Sequence, residues 1–270
     1  MTDKTIALIG CGTMGKGIAQ LIAEKGNPLL LFDICREAAD AAAAAAEKTA
    51  AQAPVTPVER LAEISSADIV IEAATEEFPN KTELLAQAED AVADSALIAT
   101  NTSAIPISDL SPGLRNPGRF IGFHFMNPPV RMKLVEIIPG RDTTEDTRKQ
   151  ALEFAAHLGK KGVVVRDGPG FVVNRILMPM INEAVLALEE GAATPAEIDA
   201  CMRLGGGQPM GPLRLAEFIG LDICLSNLKT MYEKTGAERF NPAPLLTSMV
   251  EKNYLGVKTG KGFNQYLKPR

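Results

Sequence analysis

A histidine and a glutamate in the middle of the sequence have the residue types and spacing for general acid–base chemistry. His124 lies between Phe123 and Phe125 in a short apolar run, and Glu136 lies in the next apolar run. If these runs are adjacent strands, the carboxylate fixes the tautomer of the imidazole, and the second ring nitrogen exchanges a proton with an alcohol as hydride leaves. This pattern predicts dehydrogenase chemistry. The alternative is a buried histidine that is hydrogen-bonded for structural reasons alone.

A glycine-rich segment near the N-terminus has the spacing of a dinucleotide-binding turn. Gly10, Gly12 and Gly15 form the pattern GxGxxG, with Thr13 and Met14 inside it, between an apolar run and a helical pattern. In such a turn the glycines let a pyrophosphate approach the backbone, and the helix N-terminus supplies N–H donors. We therefore predict dinucleotide binding, with a purely structural turn as the alternative.

The residue at the end of the second apolar run indicates which dinucleotide binds. Asp33 follows Gly15 at the distance typical of the acid that binds the adenosine ribose hydroxyls. A carboxylate there repels a 2′-phosphate, so we predict NAD rather than NADP. Arg36 is close enough to relax this preference if its side chain turns toward the ribose, although a solvated side chain is the more ordinary role.

The overall composition is that of an acidic globular protein. The chain has 270 residues, of which 46% are hydrophobic, and a formal net charge of −5. A surface for nucleic acid is therefore not expected. No apolar run reaches the roughly 18 residues that span a bilayer, and no leader pattern precedes the first apolar run. We expect a cytoplasmic protein without a membrane partner.

Cysteine and histidine are too sparse and too widely spaced for a metal site. The four cysteines form no CxxC pair, and the two histidines, His124 and His157, form no HExxH pair. We therefore expect no metal, and thiols that pack as small core residues. His157 comes late in a predicted helix, and we interpret it as structural or exposed.

Apolar runs alternate with helical patterns through residues 1–166, which predicts an α/β domain with a largely parallel, Rossmann-type sheet that binds NAD. The predicted strands are 5–9, 28–33, 68–72, 96–100, 120–125, 133–138 and 162–166. An alanine-rich stretch from Arg36 to Gln52 predicts a helix. The capping box at Thr56–Glu59 predicts a second helix in the same connection.

Residues 167–270 show helical stripes without strand-like alternation, which predicts a smaller all-α domain for substrate binding and dimerisation. A capping box at Thr194–Glu197 predicts the start of one helix. The apolar stretch Leu213–Met231 predicts a long helix that contains Gly220. Because apolar stripes beyond the needs of a small domain favour self-association, we expect a homodimer through this domain.

Eight segments together resemble one known family far more specifically than the glycine pattern does alone. They are Gly10–Gly15, Asp68–Ala74, Asn101–Ser103, His124–Pro128, Lys133–Glu136, Pro169–Arg175, Pro209–Pro212 and Lys258–Phe263. Over nearly its whole length the chain resembles the L-3-hydroxyacyl-CoA dehydrogenases, of the 3-hydroxybutyryl-CoA dehydrogenase type. The resemblance implies NAD as cofactor and a reversible oxidation of a short-chain L-3-hydroxyacyl-CoA to the 3-ketoacyl-CoA.

The resemblance also implies catalytic roles for four residues. His124 becomes the general acid/base, Glu136 its orienting partner, and Ser103 and Asn174 polar groups around the reacting oxygen. From the residues alone, Ser103 and Asn174 also fit ordinary backbone hydrogen bonding. Because Ser103 follows a central strand and Asn174 begins the helical domain, we expect a site between the domains.

Further positions correspond to those that contact NAD in the family. They are Glu76, Lys81, Ser103, Asn127 and Lys258. Without the resemblance, Glu76, Lys81 and Lys258 are typical solvated surface charges.

The connection between Asp33 and Asp68 departs from the family pattern. It consists of residues 34–67 alone, whereas the family's longer connection forms a helical hairpin that contacts CoA. Its three cations cannot be assigned to the CoA phosphates. A free 3-hydroxy acid therefore stays open as a substrate, and a catalytically idle dinucleotide-binding protein is a third reading. Asn264 also stands where the family usually has tyrosine.

Overall fold

The computed structural model describes residues 1, 3–49 and 53–264, and the chain folds into two units. The first unit extends from Met1 to Phe171, and the second begins at Val172. Within the described ranges, no helix is both long enough and apolar enough to cross a bilayer.

The first unit, as far as the structure describes it, is built on one eight-stranded sheet. Its strands are β1 (Ile6–Ile9), β2 (Leu29–Phe32), β3 (Val55–Pro57), β4 (Ile69–Glu72), β5 (Leu97–Thr100), β6 (Phe120–Phe125), β7 (Leu134–Pro139) and β8 (Lys161–Val164). Their order is β3-β2-β1-β4-β5-β6-β7-β8, and the neighbouring strands are parallel except for β6 and β7. The predicted Rossmann-type, largely parallel sheet is confirmed.

Helices cover both faces of this sheet. They are α1 (Thr13–Ala23), α2 (Arg36–Glu47), α3 (Phe78–Ala91), α4 (Ile107–Leu110) and α5 (Glu145–His157). In β1, Ile6 and Leu8 belong to the apolar core on one face, while Ala7 and Ile9 belong to the core on the other. Since successive strand residues point to opposite faces, a strand covered on both sides reads as the continuous apolar run seen in the sequence.

The connection between β2 and β4 differs from the prediction. Helix α2 ends at Glu47, and Gln52, the predicted end of this helix, lies outside the described residues. The second helix predicted at Thr56–Glu59 is wrong, because Val55–Pro57 forms the edge strand β3 and only a short 3₁₀ turn, Leu61–Ile64, follows. A proline is tolerated on an edge strand, where its missing N–H removes no ladder hydrogen bond. Pairing with β2 therefore overrides the local capping signal.

The described part of the second unit is all-helical, as predicted. Its helices are α6 (Val173–Glu189), α7 (Pro195–Leu204), α8 (Pro212–Ile219), α9 (Leu221–Thr235) and α10 (Pro244–Glu251). They share one apolar core, to which Met178, Leu213 and Leu228 contribute buried side chains. The capping box that begins α7 is confirmed, since Thr194 and Glu197 each accept a hydrogen bond from the other's backbone N–H.

The single long helix predicted over Leu213–Met231 is wrong, because the chain breaks into α8 and α9 at Gly220. This glycine has φ +108°, a conformation that other residues rarely adopt. A continuous helix would join the Glu217 carbonyl to the Leu221 N–H. Both groups instead bond the C-terminal segment, the carbonyl accepting from Val257 N–H at 3.1 Å and the N–H donating to the Leu255 carbonyl at 3.3 Å. The break thus anchors the segment that carries Lys258.

Candidate active site

The histidine and glutamate with the chemistry of an acid–base pair meet across two strands. In the antiparallel pairing of β6 with β7, His124 lies directly opposite Glu136. Glu136 Oε2 lies 2.8 Å from His124 Nδ1, and both side chains are buried. The ring of Phe171 packs at 5.7 Å from the imidazole, measured between ring centroids. The pair is therefore shielded from water, and the hydrogen bond leaves Nε2 as the nitrogen for a substrate.

The glycine turn between β1 and α1 has the shape that a pyrophosphate requires. Gly10 has φ +93°, and a side chain there would lie 2.6 Å from the backbone of Ala73 and Ala74. A Cβ on Gly15 would overlap the carbonyl of Gly10, so this glycine permits the close crossing of turn and helix. A Cβ on Gly12, by contrast, has no protein atom within 4 Å. The face of Gly12 is thus open to a ligand at the N-terminus of α1, which Thr13 begins and Met14 continues.

Asp33 follows β2 on the same edge of the sheet, and its carboxylate is held in place by the backbone. The Cys11 N–H donates to Oδ2 at 2.7 Å, and the Cys35 N–H donates to Oδ1 at 2.9 Å. Asp33 lines a pocket of about 500 Å³. The other residues around this pocket are Ile9, Gly10, Gly12, Phe32, Ile34, Ala73, Ala74, Thr75, Asn80, Glu83, Leu84 and Gln87. Its position fits the adenosine half of a dinucleotide.

A buried ionic cluster lies where β4 and β5 end. Lys81 on α3 donates to both carboxylate oxygens of Glu72, at 2.8 and 3.0 Å, and both side chains are fully buried. The Thr100 hydroxyl donates to the same carboxylate at 2.6 Å. Burial lowers the pKa of Lys81, but the carboxylates of Glu72 and Glu76 outweigh it and raise that pKa above its usual value. Lys81 is therefore a buried charge, contrary to its expected appearance as a solvated one.

Glu76 links this cluster to the segment that carries Ser103. Its Oε2 lies 3.4 Å from the Lys81 ammonium, and its Oε1 accepts from the Thr102 hydroxyl at 2.5 Å and the Ser103 N–H at 2.7 Å. Thus Glu76, Lys81 and Ser103 lie together, as their shared assignment to a cofactor site requires. The sequence analysis did not identify Glu72 and Thr102 as members of this cluster. Glu72 could have been found, because it is a carboxylate at the end of an otherwise apolar strand.

Asn127 follows β6 in an exposed turn whose backbone is anchored by a lysine. The Lys160 ammonium donates to the carbonyls of Pro129 and Met132, at 2.6 and 2.8 Å. The peptide bond between Asn127 and Pro128 is cis. The two hydrogen bonds from Lys160 hold the turn between β6 and β7 in place.

The remaining site candidates lie in the second unit. Asn174 is buried in the first turn of α6. Lys258 is half-exposed and forms an ion pair of 2.5 Å with Asp222 at the start of α9. Asn264, where the family usually has tyrosine, donates its backbone N–H and its side-chain amide to Glu217 at 2.8 and 3.1 Å.

His157 has a structural environment, in accordance with its interpretation from the sequence. Its Nε2 lies 2.7 Å from the side-chain oxygen of Asn27, whose amide group donates to the carbonyls of Met1 and Lys4. Burial is the main cause that lowers the pKa of His157. The ring therefore joins the end of α5 to Asn27, which in turn holds the N-terminal segment.

The glycine turn and His124 lie on the same carboxyl edge of the sheet, so a dinucleotide bound at the turn would lie on the edge that carries the His124–Glu136 pair. This arrangement defines the class of NAD-dependent dehydrogenases. Comparison with known proteins narrows the class. The family model for the NAD-binding domain of 3-hydroxyacyl-CoA dehydrogenases matches residues 5–168, and that for their C-terminal domain matches residues 170–266. The chain belongs to the 3-hydroxyacyl-CoA dehydrogenase family and is an NAD-dependent oxidoreductase.

Individual relatives match almost the whole chain. A probable 3-hydroxybutyryl-CoA dehydrogenase of Bacillus subtilis is 42% identical over 282 aligned positions, covering 98% of each chain. A 3-hydroxybutyryl-CoA dehydrogenase of Bradyrhizobium diazoefficiens is 39% identical, covering 97% of this chain and 95% of its own. The crystal structure of (S)-3-hydroxybutyryl-CoA dehydrogenase from Ralstonia eutropha superimposes with a TM-score of 0.89 at 39% identity, covering 98% of this chain and 100% of that one.

The substitution of alanine for Gly12 and for Gly15 should have different effects on stability. Gly12→Ala places a methyl group in open space, so we expect an unchanged melting temperature but NADH binding weakened at least about tenfold, because the methyl group occupies the approach of the pyrophosphate. Gly15→Ala overlaps the Gly10 carbonyl and should lower the melting temperature as well. Thermal unfolding and NADH titration measure both effects. Normal NADH affinity in Gly12→Ala would contradict this assignment of the turn.

Removing the cation of the buried cluster should destabilise the first unit. Lys81→Met leaves Glu72 buried without its counter-ion, so we expect a loss of about 3–5 kcal/mol in the free energy of unfolding. Lys149→Met, on the exposed face of α5, is the matched control and should change it by less than about 0.5 kcal/mol. Urea denaturation followed by circular dichroism provides the comparison. Equal effects of the two variants would show that the cluster contributes no stability.

Proposed function

We propose that this protein catalyses the reversible NAD-dependent oxidation of a short-chain L-3-hydroxyacyl-CoA, such as 3-hydroxybutyryl-CoA, to the 3-ketoacyl-CoA. The observation that carries this proposal is the 2.8 Å hydrogen bond of the buried His124–Glu136 pair, on the sheet edge that bears the dinucleotide turn. Relatives named as 3-hydroxybutyryl-CoA dehydrogenases extend over almost the whole chain and support the substrate class.

In the direction of oxidation, His124 acts as the general base. Its Nε2 takes the proton of the C3 hydroxyl and the ring becomes an imidazolium. NAD, held by the glycine turn and Asp33, would supply the acceptor for the hydride from C3, so that the ketone and NADH would form. In the reverse direction the same nitrogen donates the proton to the ketone oxygen. Glu136 accepts from Nδ1–H, orients the ring and stabilises the imidazolium. Burial strengthens the electrostatic effect of Glu136 on the imidazolium, because few water dipoles screen the pair.

Ser103 and Asn174 complete the proposed catalytic set by donating hydrogen bonds to the reacting oxygen. Ser103 supports this role by its position after β5, at the carboxyl edge where open α/β sheets bind ligands. Asn174 supports it as a buried amide at the start of α6.

The first contacts that we propose for NAD lie at the same edge of the sheet. The glycine turn at Gly10, Gly12 and Gly15 receives the pyrophosphate, and Asp33 receives the adenosine ribose hydroxyls. The other contacts that we propose for NAD are Thr13, Met14, Glu76, Lys81, Ser103, Asn127 and Lys258. Since Lys81 is already bonded to two carboxylates, its contribution is to hold Glu76 beside Ser103.

We also propose that the protein is a cytoplasmic homodimer that associates through its second unit. Exposed apolar side chains on this unit support the proposal, among them Ile176 on α6 and Leu204 on α7, which are 67% and 81% exposed. Light scattering in solution distinguishes the dimer from a monomer.

The acid–base role predicts a selective loss of turnover in His124→Ala. We expect kcat with NADH and acetoacetyl-CoA to fall at least about 100-fold, the usual scale of general acid–base catalysis, with NADH affinity unchanged. His157→Ala is the matched control, because it removes the other histidine of the chain from a structural contact and should retain kcat. A near-normal kcat in His124→Ala would refute the role.

The substrate class needs its own comparison, because the connection at residues 34–67 is short. NADH oxidation is followed with acetoacetyl-CoA and with free acetoacetate. We expect turnover of the thioester alone. Turnover of the free acid at a similar kcat/KM would instead favour the second candidate, a dehydrogenase of a 3-hydroxy acid that is not linked to CoA.

A further inference from the structure

An arginine lies beside the proposed ribose site but is bonded elsewhere. Arg36 comes three residues after Asp33 and is the first residue of α2. Among the described residues, Asp33 and Ile34 line the pocket next to the glycine turn, whereas Arg36 does not. The position matters because an arginine at the end of this strand is what accommodates the 2′-phosphate in proteins that bind NADP.

Two carboxylates hold the Arg36 guanidinium from different parts of the chain. Its Nε donates to Oδ1 of Asp40 at 2.8 Å, one helical turn further along α2. Its second contact is a terminal nitrogen at 3.6 Å from Oε1 of Glu59. Glu59 follows the edge strand β3, so this contact depends on the strand that replaces the second predicted helix. The hydrogen bond to Asp40 is also the main cause that raises the pKa of Arg36.

We propose that Asp40 and Glu59 are specificity-determining residues, which hold the Arg36 guanidinium away from the ribose 2′ position and thereby preserve the preference for NAD. The proposal rests on the proposed binding of the ribose by Asp33. Asp33 repels a 2′-phosphate, but a free cation close by would offset that repulsion. While Arg36 is bonded to Asp40 and Glu59, it does not offset this repulsion. The preference for NAD over NADP therefore depends on all four residues, and not on Asp33 alone.

A simpler electrostatic effect makes a different prediction. If Asp40 and Glu59 discriminate only because they are negative, neutralising them favours a 2′-phosphate whether or not Arg36 is present. If they act by restraining Arg36, the gain requires the arginine. The two explanations are separated by combining the substitutions with Arg36→Gln.

The experiment compares the affinities of NADH and NADPH without any substrate. Four proteins are needed: the wild type, Arg36→Gln, the double variant Asp40→Asn with Glu59→Gln, and the triple variant that adds Arg36→Gln. Binding is followed by the fluorescence of the reduced nicotinamide, which is convenient because the chain has no tryptophan. Thermal unfolding verifies that each variant is folded, and Glu59→Gln alone replaces the double variant if that one unfolds.

In the double variant we expect NADPH to bind about 3- to 10-fold more tightly, a modest factor because exposed ion pairs are weak. NADH affinity should stay within about twofold. In the triple variant the gain should disappear. An unchanged NADPH affinity in the folded double variant, or an equal gain in the triple variant, overturns the proposal. Because no turnover is measured, a failure of the proposed dehydrogenase activity would be recognised separately.

Discussion

The antiparallel pairing of β6 with β7 brings His124 to Glu136, and the proposed chemistry requires this contact. Residues that lie directly opposite in such a pair project to the same face of the sheet, and neighbours along each strand project to the other. His124 and Glu136 therefore meet only in the observed register. On the other face Phe123 and Phe125, two positions apart on β6, pack in the apolar core with ring centroids 5.1 Å apart. A shift of β7 by one residue would turn Glu136 to the face opposite His124 and separate the pair.

A second constraint acts where the parallel strands end. The Glu72 carboxylate is fully buried and accepts from the Ala74 N–H, the Lys81 ammonium and the Thr100 hydroxyl. Burying two charges is costly, and it is tolerated here because the remaining acceptor sites are also bonded. The bonded groups belong to β4, α3 and β5, so the cluster fixes the loops at the sheet edge before any cofactor binds. The glycine turn contacts one of these loops at Ala73.

The strands of the sheet could be predicted from continuous apolar runs, because strands covered on both faces do not alternate between apolar and polar residues. The contact of His124 with Glu136 also followed, on the condition that the two apolar runs are adjacent strands, as they are. The failures have a common physical cause. The edge strand at Val55–Pro57 and the break at Gly220 depend on tertiary partners, namely β2 and the segment at Leu255–Val257. Local propensity carries no information about such partners.

The sequence also did not indicate which charged side chains are buried. Lys81 has the ordinary helical neighbourhood of a solvated lysine, and only the fold brings Glu72 beneath it. Likewise, the sequence favours a solvated Arg36, with a turn toward the ribose as the alternative, and only the position of β3 brings Glu59 to its guanidinium. Glu72 and Glu59 lie outside the helices that carry Lys81 and Arg36, so residue spacing along those helices could not reveal these two partners. Asp40, four residues after Arg36 on α2, is the partner that spacing does indicate.

The tautomers of the two histidines distinguish an acid–base pair at His124 from an ordinary buried histidine. His124 donates from Nδ1 to Glu136, whereas His157 donates from Nε2 to Asn27, so the neutral rings must carry their protons on different nitrogens. Long-range ¹⁵N–¹H spectra of protein labelled only at histidine resolve both rings at a pH where they are neutral. We expect an Nδ1–H tautomer for His124 and an Nε2–H tautomer for His157. A His124 ring protonated mainly at Nε2 would contradict the acid–base pair.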